Sequence, residues 1–536
     1  MNLVEELALA AGAVVAWRLG SPRPHGGAGM RGRDAIASTS RPGRRAARNA
    51  PRRRDAPEPA RWATRRDVRD LRVPHATAGR VALGIAHRRL LAAETGHSVL
   101  VVGPTQSRKT TGLAIPAILE WQGPVMAASV KSDLARHSLS WRTGIGPVWV
   151  YDPTGSTDLP GAAWSPLTGS HTWDGARRTA SSLTEVARSG AGTLTDGDFW
   201  YATAAKLLAP LLFAAAASGR TMADVVRWVD TQEVDEVFDA LVASGEPAAA
   251  QSAQASWGRD ERQRSAVYTT AETVVEAFAD PAVAACEAAA HGAPWLGSPG
   301  PSGVSATGRA IDPIGLLDDG GTLYLCAPAH DQRRVRPLFA TVVAQVIECA
   351  YSRVALHGQP LDPPLLVVLD EAANVAPLAE LDTLASTAAG HGVQLVTVWQ
   401  DLAQIHSRYG TRSGSVVNNH RVKVFLSGIA DTATLEHASV LIGESETRAV
   451  ASTMDGYGAT AFTDSPVLRR LAPADALRRI PPGHGVVVSG HLPPVRVALR
   501  PWHDDRDLCA RAESSPVTTD PPRRWWGRRS IGTLRP

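Results

Sequence analysis

Seven short, predominantly apolar runs set the strongest limit on how this chain can fold: 98–103, 125–130, 148–151, 322–326, 365–369, 393–399 and 422–426. A strand with one wet face alternates apolar and polar residues, whereas a run that is apolar throughout has no wet face. Helical stretches separate the runs. The expectation is an α/β fold with a mostly parallel sheet covered on both faces. The rhythm breaks once. Residues 165–310 carry no strand signal, and Ala204–Ala217 and Ala266–Ala279 are Ala-rich with Leu, Val and Phe at helical spacing. These features predict an all-α domain inserted between the third and fourth strands. The Gly/Ser/Pro-rich stretch Gly292–Gly308 is then the loop returning to the sheet.

A chain of 536 residues with 44% hydrophobic composition can bury a large core and build two folded units. Its four cysteines, Cys286, Cys326, Cys349 and Cys509, are far apart and form no CxxC pair, which argues against a zinc site or disulfide framework and fits a reducing cytoplasm. The net charge of +4 is unevenly spread: residues 31–70 hold 13 Arg against 5 acids. That stretch reads either as a solvated arm or as one that touches anionic lipid or nucleic acid. The apolar segment Leu7–Trp17 is shorter than the roughly 20 residues that span a bilayer. It reads as a short surface helix or as the second half of a membrane anchor, with the Arg-rich segment on the cytoplasmic side. The expected organisation is a possible truncated anchor at 1–20 and a basic Pro/Arg-rich linker at 21–78. The parallel-sheet domain at 79–164 and 311–500 follows, with the all-α insertion at 165–310 and a basic polar tail at 501–536.

The first apolar run leads into Gly103, Pro104, Thr105, Gln106, Ser107, Arg108, Lys109 and Thr110, followed by Thr111 and a helix. Strand, GxxxxxK[ST], then helix is the pattern of a phosphate-binding loop, in which backbone N–H groups at a helix N-terminus meet dense negative charge. Lys109 is expected to reach the β/γ-phosphates of ATP and the Thr110 hydroxyl to ligate Mg²⁺. Arg108 stands where the motif usually has glycine. About 260 residues on, the run 365–369 ends in Asp370 and Glu371. Acids at the C-terminal end of a parallel strand face the ligand crevice. Asp370 is expected to hold Mg²⁺ and Glu371 to act as general base toward the attacking water. The run 393–399 ends at Gln400, an amide placed to sense the γ-phosphate and orient water. Lys131, after the second run, lines this site or a pore, or is a surface lysine.

These motifs sit within stretches that resemble the conjugative coupling proteins of type IV secretion. The matching segments are GlyProThrGlnSerArgLysThr (103–110), AlaIleProAlaIleLeuGluTrp (114–121), SerValLysSerAspLeu (129–134) and LeuAspGluAlaAlaAsn (369–374). LeuAlaSerThrAlaAlaGlyHisGlyValGlnLeuValThrValTrpGlnAsp (384–401) and LysValPheLeuSerGlyIleAlaAspThrAlaThrLeuGlu (423–436) complete them. The resemblance implies a RecA-like P-loop ATPase with ATP and Mg²⁺ as cofactors. It implies a docking role for the all-α insertion, and a homo-hexameric ring on the cytoplasmic face of the cell membrane. That ring would pump DNA, single-stranded and carried with a relaxase, toward components of the secretion channel. Many relatives carry an Arg where this chain has Ala388-Ala389-Gly390-His391, so the cation acting on a neighbouring subunit is absent there or supplied elsewhere. Arg333, Arg334 and Arg336 are possible substitutes, or simply a solvated helix start. Trp525 and Trp526, between Arg pairs, could stack on bases or rest at a lipid interface. Two other readings stay open: a related ring translocase for duplex DNA or protein, and a cargo-binding platform that binds ATP without hydrolysing it. Acids spread over the insertion, at 196–200, 233–239 and 272–276, argue for a basic protein partner there rather than bare DNA.

Overall fold

The computed structural model describes residues 59–514 except 78, 156, 191–196, 292–308, 328–331, 376–377 and 455–459. The expectations for Leu7–Trp17, for the loop at 292–308 and for Trp525 and Trp526 lie outside the described residues. In chain order the strands are β1 (Arg72–Val73), β2 (Ala82–Ala86), β3 (Arg89–Ala92), β4 (Val99–Val102), β5 (Val125–Ser129) and β6 (Val148–Tyr151). Next come β7 (Ala162–Ala163), β8 (Arg309–Ala310), β9 (Thr322–Cys326), β10 (Leu365–Leu369) and β11 (Val393–Trp399). The last are β12 (Val422–Leu426), β13 (Glu444–Met454), β14 (Thr460–Arg470), β15 (His484–Ser489) and β16 (Val495–Ala498).

Twelve of these form one sheet in the order β1-β3-β2-β16-β15-β12-β4-β11-β10-β5-β9-β6. The seven strands from β12 to β6 are all parallel and coincide with the seven apolar runs. Their continuous apolar character follows from burial on both faces. Alternate residues feed two separate cores: Leu100, Val102, Met126, Leu365, Val367 and Leu395 point one way. Val99, Val101, Val125, Leu366, Val368 and Val396 point the other, against Ile115, Ile118 and Leu119 of the helix that follows β4. Burying each such side chain contributes roughly 1.5–3 kcal/mol, so polar substitution on either face is costly.

The insertion is helical as expected. Its described helices are Trp173–Gly190, Gly197–Ala217, Met222–Asp230, Asp235–Ser244, Pro247–Trp257, Glu261–Val275 and Pro281–Ala290. Gly197–Ala217 runs through their middle and buries Leu207, Leu208, Leu211 and Leu212. Asp260 and Asp280 cap the helices they precede. The chain leaves the sheet after β6 and returns to β9, its neighbour, and β7 pairs with β8 at the insertion's base.

Two expected boundaries move. The linker drawn to 78 ends earlier, because Ala63, Val68, Leu71 and Val73 are buried and β1 pairs with β3. The tail drawn from 501 begins with packed structure: Trp502 and helix Arg506–Ala512, whose Leu508 is buried. The antiparallel flank β1-β3-β2-β16-β15 and the separate β13–β14 hairpin, paired over eleven residues, were not anticipated from the sequence.

Candidate nucleotide site

Because β4, β5, β10 and β11 are parallel and adjacent, the residues just after each strand share one edge of the sheet. Gly103, Lys131, Asp370–Glu371 and Gln400 all follow such strand ends. At Gly103 the loop is tied down by its N–H donating to the Trp399 carbonyl at 3.0 Å. A Cβ at Gly103 would lie 2.7 Å from Ser107 Oγ and 2.9 Å from Leu426 Cβ, so only glycine fits there. Gln106 and Arg108 take positive φ of 64° and 65°, a left-handed conformation costly for L residues. The following helix opens with a π-wound turn, Thr110–Ala114, and continues as Ile115–Glu120. Pro104, Thr105, Gln106 and Thr111 complete the loop surface, with Thr105 and Gln106 exposed.

Lys109 is buried and its Nζ donates to the Pro104 carbonyl at 3.0 Å, folding the side chain across the loop. Burial pushes its pKa down, against the opposing pull of Asp370 and Glu371. Thr110 Oγ1 donates to Asp370 Oδ2 at 2.9 Å, and Ser129 Oγ donates to the same oxygen at 3.4 Å. Asp370 is 4% exposed and its Oδ1 is buried without a hydrogen-bond partner. Burial pushes its pKa up to about 6, while Thr110 and Lys109 hold it from rising further. Two hydroxyls around a buried carboxylate with one oxygen unspent make a hard oxygen-donor set, the kind Mg²⁺ takes. Ser107 Oγ is likewise buried and unpartnered, beneath the loop.

Glu371 has φ 61° and is half-exposed at the same edge. Gln400 is half-buried, and its N–H donates to Gln404 Oε1 at 3.1 Å. Its neighbour Asp401 caps helix Leu402–Tyr409 by accepting from the Gln404 N–H at 2.9 Å. Lys131 is exposed at the end of β5 and close enough to Lys109 to depress its pKa. Arg334 pairs with Asp280, and Arg336 Nε donates to the Asn374 carbonyl at 3.2 Å, beside the turn after Glu371. The Arg333 side chain lies outside the described residues. Sequence reasoning missed Ser129, although its place at the end of an apolar run is the same signal that marks Asp370. It also missed residues 499–505, which pack on the loop's helix: the Trp502 N–H donates to the Thr111 carbonyl at 3.0 Å.

A twelve-stranded, mainly parallel sheet with a phosphate loop after β4 and an acid pair after the nearby β10 defines a P-loop nucleotide-binding protein of RecA-like fold. Two family models match the chain, together over more than half its length. "Type IV secretory system Conjugative DNA transfer" covers residues 64–290, and "TraM recognition site of TraD and TraG" covers 364–482. The chain belongs to the conjugative coupling proteins of type IV secretion. It is 24% identical over 418 residues to conjugal transfer protein TraG of Escherichia coli, across 72% of this chain and 61% of that one. It is 24% identical over 434 residues to protein VirD4 of Agrobacterium fabrum, across 77% of this chain and 60% of the relative. The chain thus spans about three fifths of the length of these curated relatives. Its fold matches that of the bacterial conjugative coupling protein TrwB at TM-score 0.60 and 18% identity, covering 82% of this chain and 92% of TrwB. A TrwB structure in complex with ADP and Mg²⁺ matches at TM-score 0.60 and 17% identity, over 82% of this chain and 94% of that one.

Proposed function

We propose that this chain is an ATP-driven coupling protein that recruits DNA with its relaxase and pumps it toward a type IV secretion channel. The observation that carries the reading is the Thr110–Asp370 hydrogen bond of 2.9 Å beside buried Lys109, which joins two motifs 260 residues apart into one site. When bound, ATP with Mg²⁺ supplies the cleavable anhydride bond and the cation that spreads its charge. Lys109 turns from the Pro104 carbonyl to the β/γ-phosphates. Thr110 and Asp370 hold the cation, and Ser129 keeps Asp370 oriented. Glu371 accepts the proton of the attacking water onto its carboxylate, and Gln400 orients that water and senses the γ-phosphate.

Supporting the DNA-transfer role are the family membership and the names of the relatives, with the helical insertion leaving the motor at β6 and returning at β9 without touching the phosphate loop's own strand order. In this reading the chain works as a homo-hexamer on the cytoplasmic face of the membrane, on single-stranded DNA, with the insertion as cargo receptor. The test is phosphate release by the full chain with single-stranded DNA, duplex DNA or basic protein as stimulus. Stimulation by single-stranded DNA above the others is expected. Stimulation only by duplex DNA or protein would transfer the reading to a related ring translocase. Absence of turnover under every stimulus would leave a platform that binds cargo and nucleotide without hydrolysis.

A further inference from the structure

The phosphate loop is not held by its own sheet alone. Residues 499–511 lie along the helix that follows it and contact four of its backbone or side-chain positions. The Trp502 N–H donates to the Thr111 carbonyl at 3.0 Å, and Arg511 Nη1 donates to the Leu119 carbonyl at 3.0 Å. Arg500 Nη1 donates to Glu120 Oε1 at 2.8 Å, and its Nη2 donates to Asp505 Oδ2 at 2.8 Å. Leu499 packs so closely on Gly112 that a Cβ there would meet Leu499 Cβ at 3.0 Å. This wall fixes the place of Asp504, whose Oδ2 lies 3.5 Å from Arg108 Nη1. The Arg108 stem reaches Asp504 across Gly483, where a Cβ would sit 3.6 Å from Arg108 Cδ. His503, 3.8 Å from the other Asp504 oxygen, is a further basic group facing it.

Arg108 is therefore a loop cation whose side chain reaches a carboxylate of the C-terminal wall. Both partners are open to water, with side chains 45% and 58% exposed. An exposed pair of this kind is weak enough for a polyanion to displace. We propose that Asp504 is a positioning residue for the phosphate loop: it holds the Arg108 guanidinium off the triphosphate, and surrender of Arg108 to the phosphates sets nucleotide affinity. The proposal rests on the nucleotide reading above and deepens it. An arginine takes the place of the usual glycine because the C-terminal wall gives its side chain a seat while the loop is empty, and its charge then becomes available where the phosphates arrive.

The experiment is equilibrium titration of the full chain with ATP and with ADP, at low and high salt, for wild type, Asp504→Asn, Asp504→Glu, Arg108→Gly and the double variant Arg108→Gly/Asp504→Asn. Asp504→Asn should tighten binding about two- to fivefold at low salt, and less at high salt, because it removes the competitor for Arg108. Asp504→Glu should stay near wild type. In the Arg108→Gly background, Asp504→Asn should change nothing. An equal gain with and without Arg108 would show a plain field effect of the carboxylate and overturn the proposal, as would no gain in either background. A wild-type chain that bound neither nucleotide would overturn the nucleotide reading itself, and this proposal with it.

Discussion

In the proposed mechanism Lys109 and Glu371 act on different parts of one event, so their loss should separate binding from chemistry. Lys109 is the buried cation of the loop, and its Nζ has only the Pro104 carbonyl to leave. Lys109→Ala should abolish measurable ATP binding. Glu371→Gln should keep binding and stop hydrolysis, because an amide cannot take the proton of the attacking water. Titration for affinity and single-turnover phosphate release check both; full hydrolysis by Glu371→Gln would remove it as the base. A second single-residue prediction concerns Arg142, which is fully buried with no carboxylate partner among the described residues. It spends its guanidinium on oxygens instead: Nε on Thr322 Oγ1 at 2.7 Å, Nη1 on the Trp121 carbonyl at 2.6 Å and Nη2 on the Gly123 carbonyl at 2.6 Å. Burial pushes its pKa down to about 10, so it stays charged at neutral pH. These bonds tie together the entries of β5 and β9, whose far ends carry Ser129 and Cys326. Arg142→Met removes the donor from four oxygens, the Gly320 carbonyl at 3.3 Å included, and should lower unfolding stability by about 3–5 kcal/mol in a denaturant titration. Arg142→Lys, with one nitrogen, should recover only part of it.

At the scale of elements, what was legible and what was not divides by burial. The seven parallel strands are buried over nearly all their length on both faces, so each appears in the sequence as a mostly apolar run, with few polar residues such as Lys423, Gln394 and Thr397. The flanking strands are short and partly wet: β3 is ArgLeuLeuAla, with Arg89 exposed, and β16 alternates Val495, Arg496, Val497. Such strands give little signal without their neighbours. β13 and β14 are polar over most of their length and belong to no larger sheet, which left no apolar period to read. Strand order was also illegible, because apolar runs do not say which run lies beside which. That Asp370, Lys109 and Thr110 come together was nevertheless legible, since a parallel sheet puts every strand's C-terminal end on one edge whatever the order. Ser129 obeys the same rule. The insertion's helices were legible from spacing, and the charge on them carries the element-scale prediction. Asp235, Asp239, Glu272 and Glu276 are exposed, whereas Glu236 is engaged by Arg220 and Arg227. Reversing Asp235, Asp239 and Glu272 to Lys in the full chain should weaken binding of a cognate relaxase several-fold, more at low salt than at high. Nucleotide affinity should not change. Unaltered relaxase binding, with single-stranded DNA binding strengthened from a high wild-type level, would place the insertion on the DNA path instead.

For the whole molecule, the membrane attachment proposed above can be weighed from the surfaces the fold leaves to it. Two described helices, Gly197–Ala217 and Arg334–His357, are long and apolar enough to cross a bilayer. Both have packed partners within the fold. The first is the central helix of the insertion, and the second buries Leu338, Phe339, Val342, Val343 and Val346 in the core. Much of that apolar surface is turned into the fold, 72% of the first helix's apolar window and 44% of the second's, so the basic N-terminal stretch is the stronger source of attraction to lipid. The basic stretch at 31–70 is not all available for it. Arg61 is tied to Asp67 by bonds of 2.6 and 2.9 Å at the start of the described body, and Val68 beyond it is buried. The dividing line therefore falls near residue 59 rather than at the end of the sequence-predicted linker. Residues 1–58 hold 11 Arg against five acids, beside the apolar segment Leu7–Trp17. Eleven apolar residues bind a bilayer weakly, while each basic residue close to anionic lipid adds about 1 kcal/mol at physiological salt, falling off within a Debye length. The full chain should float with anionic liposomes at low salt and be released in large part at high salt. A chain beginning at residue 59 should stay at the bottom of the gradient in both. Binding of the full chain that resisted high salt would assign the contact to apolar insertion rather than charge. Equal flotation of the two chains on anionic liposomes would show that residues 1–58 are not the attachment and that lipid contact belongs to the folded body.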